Sequence, residues 1–264
     1  MCNQLGHFTA HVGERARIAR FACSRVICCW LLTICCAAVT GRAYAQWEVG
    51  AFVGAAHTQN SDLDLRQPSR STQLRFSDVS YRGESFTSPV YYGVRGGRFF
   101  RRTWGAQVEF VHLKVFANTD RITAVSGSLN GVPIDSRLRM DAIVQRFSIS
   151  HGVNLLMANF VARLPLGVAS GTEDARVALA FCAGAGATMP HPEAAVLGET
   201  EQHYQGGRPA IQVAATIETR LWRKLYWSGE YKYTRTRQEV DVPAGTARTL
   251  LQSHHLVTGP TVRF

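Results

Sequence analysis

The chain has 264 residues, of which 46% are hydrophobic and 18% charged, with 23 glycines, seven cysteines and a formal net charge of +10. Six of the cysteines (Cys2, Cys23, Cys28, Cys29, Cys35, Cys36) precede residue 46, so residues 46–264 hold Cys182 alone, which excludes an intramolecular disulfide or a Cys-based metal site there. Cys182 itself reads as a small strand residue.

From the amino terminus, Arg15, Arg17, Arg20 and Arg25 lead into the apolar stretch VICCWLLTICCAAV, which ends at AYA (Ala43 to Ala45) before Gln46. That is the layout of a secretory signal, and the apolar run is shorter than the ~20 residues a spanning helix needs. We expect residues 1–45 to be a signal peptide and 46–264 to be the mature domain. Five Arg and one Glu in residues 1–45 leave a net +6 for the remainder. This excess suits anionic partners, and export excludes nucleic acid.

Residues 46–264 contain no second long apolar run. They show alternating segments of about ten residues, separated in turn by short turns and longer polar loops, the signature of a membrane-spanning barrel. Eight strands are expected: Trp47 to Thr58, Val90 to Phe100, Trp104 to Phe116, Ala142 to Met157, Arg176 to Thr188, Pro209 to Leu221, Leu225 to Gln238 and Thr249 to Phe264. The fold class is therefore all-β: an eight-stranded antiparallel transmembrane up-and-down β-barrel with short periplasmic turns and longer extracellular loops. The short connections are Arg101 to Thr103, Ala158 to Ala175 and Trp222 to Lys224, and the polar first loop, Gln59 to Ser88, has the composition of a mobile segment. A secreted sandwich or lipocalin-like barrel alternates in the same way, with its apolar face inside. Glycine-rich strands, alternating loop lengths and the terminal aromatic Phe264 favour the membrane barrel.

In WGAQVEFVHLKVF, Trp104, Ala106, Val108 and Phe110 share one face, the lipid side, and Gly105, Gln107 and Glu109 share the other, the lumen. On the seventh strand the lumen parity gives Glu230 and Lys232, while Trp227, Tyr231 and Tyr233 form an outward aromatic stripe. Glu109, Glu230 and Lys232, with Glu218, Arg220 and either Arg95 or Arg98, are expected to form a paired lumen network, since a buried charge requires a partner. An eight-stranded barrel is filled by its own side chains, which argues against a pore. His112 and Lys114 have the parity of Phe110 and are expected to point outward just above the belt. His254 and His255 are adjacent, so they face opposite sides, and HGVN (His151 to Asn154) reads as barrel wall.

Three stretches, SPVYYGVRGGRFFRRTWGAQVEFVHLKVFA (Ser88 to Ala117), AGAGATMPHPE (Ala183 to Glu193) and WSGEYKYTRTRQEVDV (Trp227 to Val242), occur in an order and spacing that resembles the lipid A oxidase family of α-proteobacterial outer membranes. VHLKVFA and PHPE are the more specific parts. The resemblance implies an enzyme of the Gram-negative outer membrane that uses dioxygen to oxidise the proximal glucosamine of lipid A to an aminogluconate. It points to His191, Glu193 and His112 as catalytic residues and to Lys114 as a substrate-binding residue that holds a lipid phosphate as a point charge. Lipid A or lipopolysaccharide would be the partner of a monomeric barrel that also meets the barrel-assembly machinery during biogenesis.

No dinucleotide fingerprint and no cysteine cluster is present to carry electrons. A divalent metal held by His112, His191 and Glu193 would make a two-His, one-carboxylate set, if strands that are separate in sequence bring the three together. The alternative function is a non-catalytic structural or adhesive barrel that presents its extracellular loops.

Overall fold

The computed structural model describes residues 46–149, 152–166 and 175–264. The signal-peptide reading of residues 1–45 lies outside the described residues. In chain order the strands are β1 (Gln46–Thr58), β2 (Ser61–Gln67), β3 (Thr72–Val79), β4 (Tyr81–Arg82), β5 (Tyr92–Arg101), β6 (Trp104–His112), β7 (Val115–Ala117), β8 (Ile122–Leu129) and β9 (Val132–Arg139). They continue with β10 (Val144–Ile149), β11 (Leu155–Leu166), β12 (Val177–Thr188), β13 (Glu193–Val196), β14 (Glu199–Gln202), β15 (Pro209–Arg220), β16 (Leu225–Val242) and β17 (Gly245–Arg263).

Eight of these close a barrel. The ladder runs β1-β5-β6-β11-β12-β15-β16-β17 and returns to β1, where Glu48 faces Arg263 and Thr58 faces Ser253, every pair antiparallel. Closure satisfies every edge, which an element exposed to hydrocarbon requires. The outward face is apolar: Val49, Val53, Val94, Val108, Phe160, Leu164, Phe181, Ile211, Val213, Ile217 and Leu256 are all exposed. Trp47, Trp104 and Trp227 stand toward the short-turn end, and Tyr92 and Tyr231 toward the other. An apolar exterior bounded by aromatic residues around a polar interior is the architecture of a membrane-spanning barrel. The soluble alternative requires the opposite faces.

The fourth barrel strand corrects the expectation. It is Leu155–Leu166, not Ala142 to Met157, and the segment expected as a turn from Ala158 provides most of it. Leu156, Phe160 and Leu164 face outward, and Met157, Asn159, Val161 and Arg163 face inward. Residues Met140–Ala142 form instead a 3₁₀ turn that leads into β10.

The first loop is also corrected, because it is folded. β16 and β17 pair beyond the barrel as far as Val242 and Gly245, and on this extension the sheet continues through β2, β3, β8 and β9. A second sheet, β14-β13-β10-β7-β4, faces it. One continuous apolar cluster joins the two, taking Leu63, Leu65, Leu74, Phe76 and Val125 from the first and Val115, Val144, Phe147, Ile149, Ala194 and Val196 from the second. Each fully buried Leu or Phe contributes about 1.5–3 kcal/mol. The long connections therefore make a capping body over one mouth of the barrel, and its core runs on into the barrel through Phe52, Met157, Ala210 and Val257.

On the solvent face of that cap, the Asp62 carboxylate accepts from the backbone N–H of Asp78 at 3.0 Å and from the Arg75 guanidinium. These contacts hold its pKa below the ordinary 3.8. A lowered folded-state pKa gives stability that is present above the unfolded value and lost as the pH falls through the folded one. We expect hydrogen exchange in the β2–β3 hairpin to accelerate below that ordinary value while the barrel strands stay protected.

Candidate functional site

The interior of the barrel is filled. At the short-turn end, Arg163 donates to Glu48 at 2.6 Å and to Glu218 at 2.9 Å, while Arg263 pairs with Glu218 and with Glu48 at 3.4 Å. The Arg163 guanidinium lies 3.6 Å above the Phe99 ring, and that of Arg263 lies 3.6 Å above Tyr226. Farther in, Lys232 pairs with Glu109 and, at 3.2 Å, with Glu230, and Arg95 donates to Glu230 at 2.6 Å. Gln212 joins Glu109 at 3.1 Å to Asn159 at 2.9 Å. Gly184 gives this amide its room, since a Cβ there would lie 1.9 Å from Asn159 Oδ1.

Glu109, Glu230 and Lys232 thus meet as parity predicted, and Arg95 rather than Arg98 joins them. Arg98 lies against the outward-facing Trp47 ring, 5.3 Å from its centre. Glu218 belongs to the other network, whose partners Glu48, Arg163 and Arg263 sequence reading missed. Two charge-balanced networks across the lumen give a plug rather than a path.

The expected rim residues lie where the barrel gives way to the cap. Three crossovers meet there: Leu113 and Lys114 between β6 and β7, Gly152 to Asn154 between β10 and β11, and Met189 to Pro192 between β12 and β13. Backbone bonds tie them together: Val153 N–H donates to Leu113 O at 2.8 Å, Met189 N–H to Asn154 O at 2.8 Å and to Val153 O at 3.1 Å, and His191 N–H to Gly152 O at 3.4 Å. The PHPE motif is one of these crossovers.

His112 keeps the outward parity of Phe110, opposite Tyr92, but it is not exposed, because the Gly152 to Asn154 crossover covers it. β6 ends on it, and beyond that point the chain leaves the outward-inward alternation. Its ring is 6% exposed and stacks on Tyr92 at 5.3 Å between ring centres. Nδ1 lies 2.8 Å from Asn154 Oδ1, and Nε2 is buried with no hydrogen-bond partner among the described residues. HGVN is corrected as well: its described residues, Gly152 to Asn154, form this crossover and not a barrel wall.

Lys114 is corrected likewise. It is 8% exposed, and its ammonium donates to the carbonyl oxygens of Thr87 at 3.0 Å and Ser88 at 3.1 Å. It fastens the loop before β5 and does not present a point charge at the surface.

His191 lies in the third crossover and stacks on Tyr204 at 4.2 Å between ring centres, with Tyr204 71% exposed. Glu193 begins β13, opposite Ser148 and Gln202, and its carboxylate takes the Arg146 guanidinium. The structure therefore brings His112 and His191 to one junction and commits Glu193 elsewhere. Among the described residues no three His, Cys, Asp or Glu side chains gather as a metal site, so the convergence that a two-His, one-carboxylate set requires is not formed. His254 and His255 divide as expected: His255 faces inward between Tyr91 and Thr234, and His254 faces outward beside Tyr231 and Tyr233.

No protein-family model and no curated protein matches this chain. Among solved structures it is similar to the attachment invasion locus protein Ail of Yersinia pestis, described in complex with the heparin analogue sucrose octasulfate: 11% identity, 84% of this chain and 100% of that one covered, TM-score 0.37. Neisserial surface protein A has 8% identity, coverage of 85% and 99%, and a TM-score of 0.42. The outer membrane protease OmpT of Escherichia coli has 7% identity, coverage of 83% and 97%, and a TM-score of 0.40. Likenesses this distant transfer no activity, and the closed ladder of the chain itself establishes its fold.

Proposed function

We propose that this chain is an outer-membrane protein of a Gram-negative bacterium that acts on lipid A in the outer leaflet, as a lipid A oxidase-like enzyme on the proximal glucosamine. The observation that supports this reading is the His112 ring. It offers a buried Nε2 with no hydrogen-bond partner among the described residues, at the junction between the apolar belt and the cap, the level at which a sugar headgroup meets a barrel rim. Exposed Tyr92, Met189 and Tyr204 border the same junction and suit the faces of a sugar and the roots of its acyl chains.

In this role His112 is the base that takes the proton of the anomeric hydroxyl. The carbon loses its hydrogen and an electron pair to dioxygen, which leaves as hydrogen peroxide, and the sugar becomes a lactone. Water then opens the lactone to the aminogluconate, for a net gain of one oxygen. His191, with Tyr204 stacked on it, borders the sugar. Glu193 is not given a role in proton transfer, because Arg146 holds its carboxylate.

The chemistry requires a free anomeric hydroxyl. Purified protein is expected to consume oxygen with lipid A that carries that hydroxyl and not with lipid A phosphorylated there; equal uptake, or none, counts against the oxidation. The folded cap favours a second reading, in which a rigid two-sheet body displays a surface to a partner and lipid A is unchanged.

A further inference from the structure

We infer that Asn154 and Gly152 are positioning residues that hold the His112 imidazole in its Nδ1–H tautomer and leave the Nε2 lone pair as the acceptor for a bound hydroxyl. This inference rests on His112 being the base of the proposed oxidation, but its geometric part stands on the structure alone.

The amide of Asn154 lies between two groups. One end is 3.2 Å from the Met189 carbonyl oxygen and the other 2.8 Å from His112 Nδ1. A carbonyl oxygen only accepts, so the NH₂ end faces Met189 and the amide oxygen faces the ring. That oxygen also only accepts, so Nδ1 must carry the hydrogen. A neutral imidazole has one N–H, and Nε2 is therefore bare.

The carbonyl that sets this orientation is itself fixed, because Met189 N–H donates to the backbone oxygen of Asn154 at 2.8 Å. Side chain and backbone thus close a ring between the two residues. Asn154 has φ +46°, a left-handed conformation that Asn tolerates better than most residues.

Gly152 packs at the same edge of the ring, where a Cβ would lie 2.5 Å from Asn154 Oδ1. Its φ is +104°, a value that excludes an ordinary side chain, and a Cβ would lie 2.6 Å from both Cε1 and Nδ1 of His112. Tyr92 stacks on the face of the ring, and no second hydrogen-bond partner meets the imidazole among the described residues. An acceptor buried in this way is costly unless a ligand donates to it. Clamped Nδ1–H and a free Nε2 are the arrangement a general base needs.

The test uses the full-length chain, folded in lipid bilayers and labelled with ¹⁵N in its histidine rings, with the His112 signals assigned by their loss in His112→Gln. Expected are a protonated Nδ1 and a bare Nε2 at His112. Asn154→Ala is expected to release the ring toward the Nε2–H form and to cut oxygen uptake on lipid A by about 10²-fold, the scale of a misplaced catalytic group. Asn154→Asp keeps an acceptor opposite Nδ1 and is expected to restore the tautomer. Heat-dependent gel mobility verifies that each barrel is folded.

A wild-type His112 protonated at Nε2, or an Asn154→Ala protein with an unchanged tautomer, overturns the inference. A correct tautomer, lost in Asn154→Ala, with no wild-type activity on lipid A sinks the oxidase reading instead and leaves the clamp standing.

Discussion

Lys232→Met is expected to lower the unfolding free energy by about 3–5 kcal/mol, the penalty for stranding buried charge by removing one partner. Lys232 is fully buried and its amine holds Glu109 and Glu230 together, with the Phe52 ring 4.7 Å away. Without it the two carboxylates share one cation, Arg95, which lies 2.6 Å from Glu230 and 3.9 Å from Glu109. The surroundings offer little compensation: both carboxylates are buried, and Gln212 is already donating to Glu109. Adding Glu109→Gln removes the stranded charge, leaves the Arg95–Glu230 pair balanced and should recover most of the loss. Denaturant unfolding of the single and double variants in lipid vesicles measures both, and a double variant no more stable than the single one refutes the network as drawn.

His112→Ala is expected to reduce lipid A oxidation by about 10²–10⁴-fold, the usual contribution of a general base. Its structural cost is smaller, because the ring sits outside both lumen networks and leaves every barrel ladder intact. The variant should therefore fold and retain its cap. His254→Ala is the matched control: it removes an imidazole from the outward face of β17, beside Tyr231 and Tyr233 and not in any of the three crossovers. Equal oxygen uptake by His112→Ala and His254→Ala excludes a base at His112.

The sequence reports the barrel wherever alternation is strong. In WGAQVEFVH the outward and inward sets are as parity gives them, and closure then turns Glu109, Glu230 and Lys232, far apart in sequence, into neighbours. β11 escapes a sequence reading because its inward positions include Asn159 and Arg163 and it ends in Leu-Pro-Leu, a composition shared with turns. With that strand misplaced, Arg163 has no predicted location, and the Glu48–Arg163–Glu218–Arg263 network is out of reach.

The cap is hidden for a different reason. Leu63, Leu65, Leu74 and Phe76 alternate with Asp62, Asp64, Arg66 and Arg75, so the strand pattern is present in the first loop beneath a polar composition. The pairing that makes it a body, β3 with β8, joins residues far apart in sequence, and register between distant segments cannot be read from one chain. The same limit applies at the rim. Parity gives His112 its outward direction but not the Gly152 to Asn154 crossover that covers it. Gly152 and Asn154 carry a local signal, a glycine and an asparagine two residues apart where left-handed backbone is needed, and His112 is their tertiary partner.

The most direct test of the central claim is a mass spectrum of lipid A from an outer-membrane host that expresses this chain, grown with and without air beside a His112→Ala control. A gain of one oxygen on the proximal sugar, dependent on air and absent in the control, is the predicted result. Unchanged lipid A from a correctly folded wild-type barrel contradicts the claim.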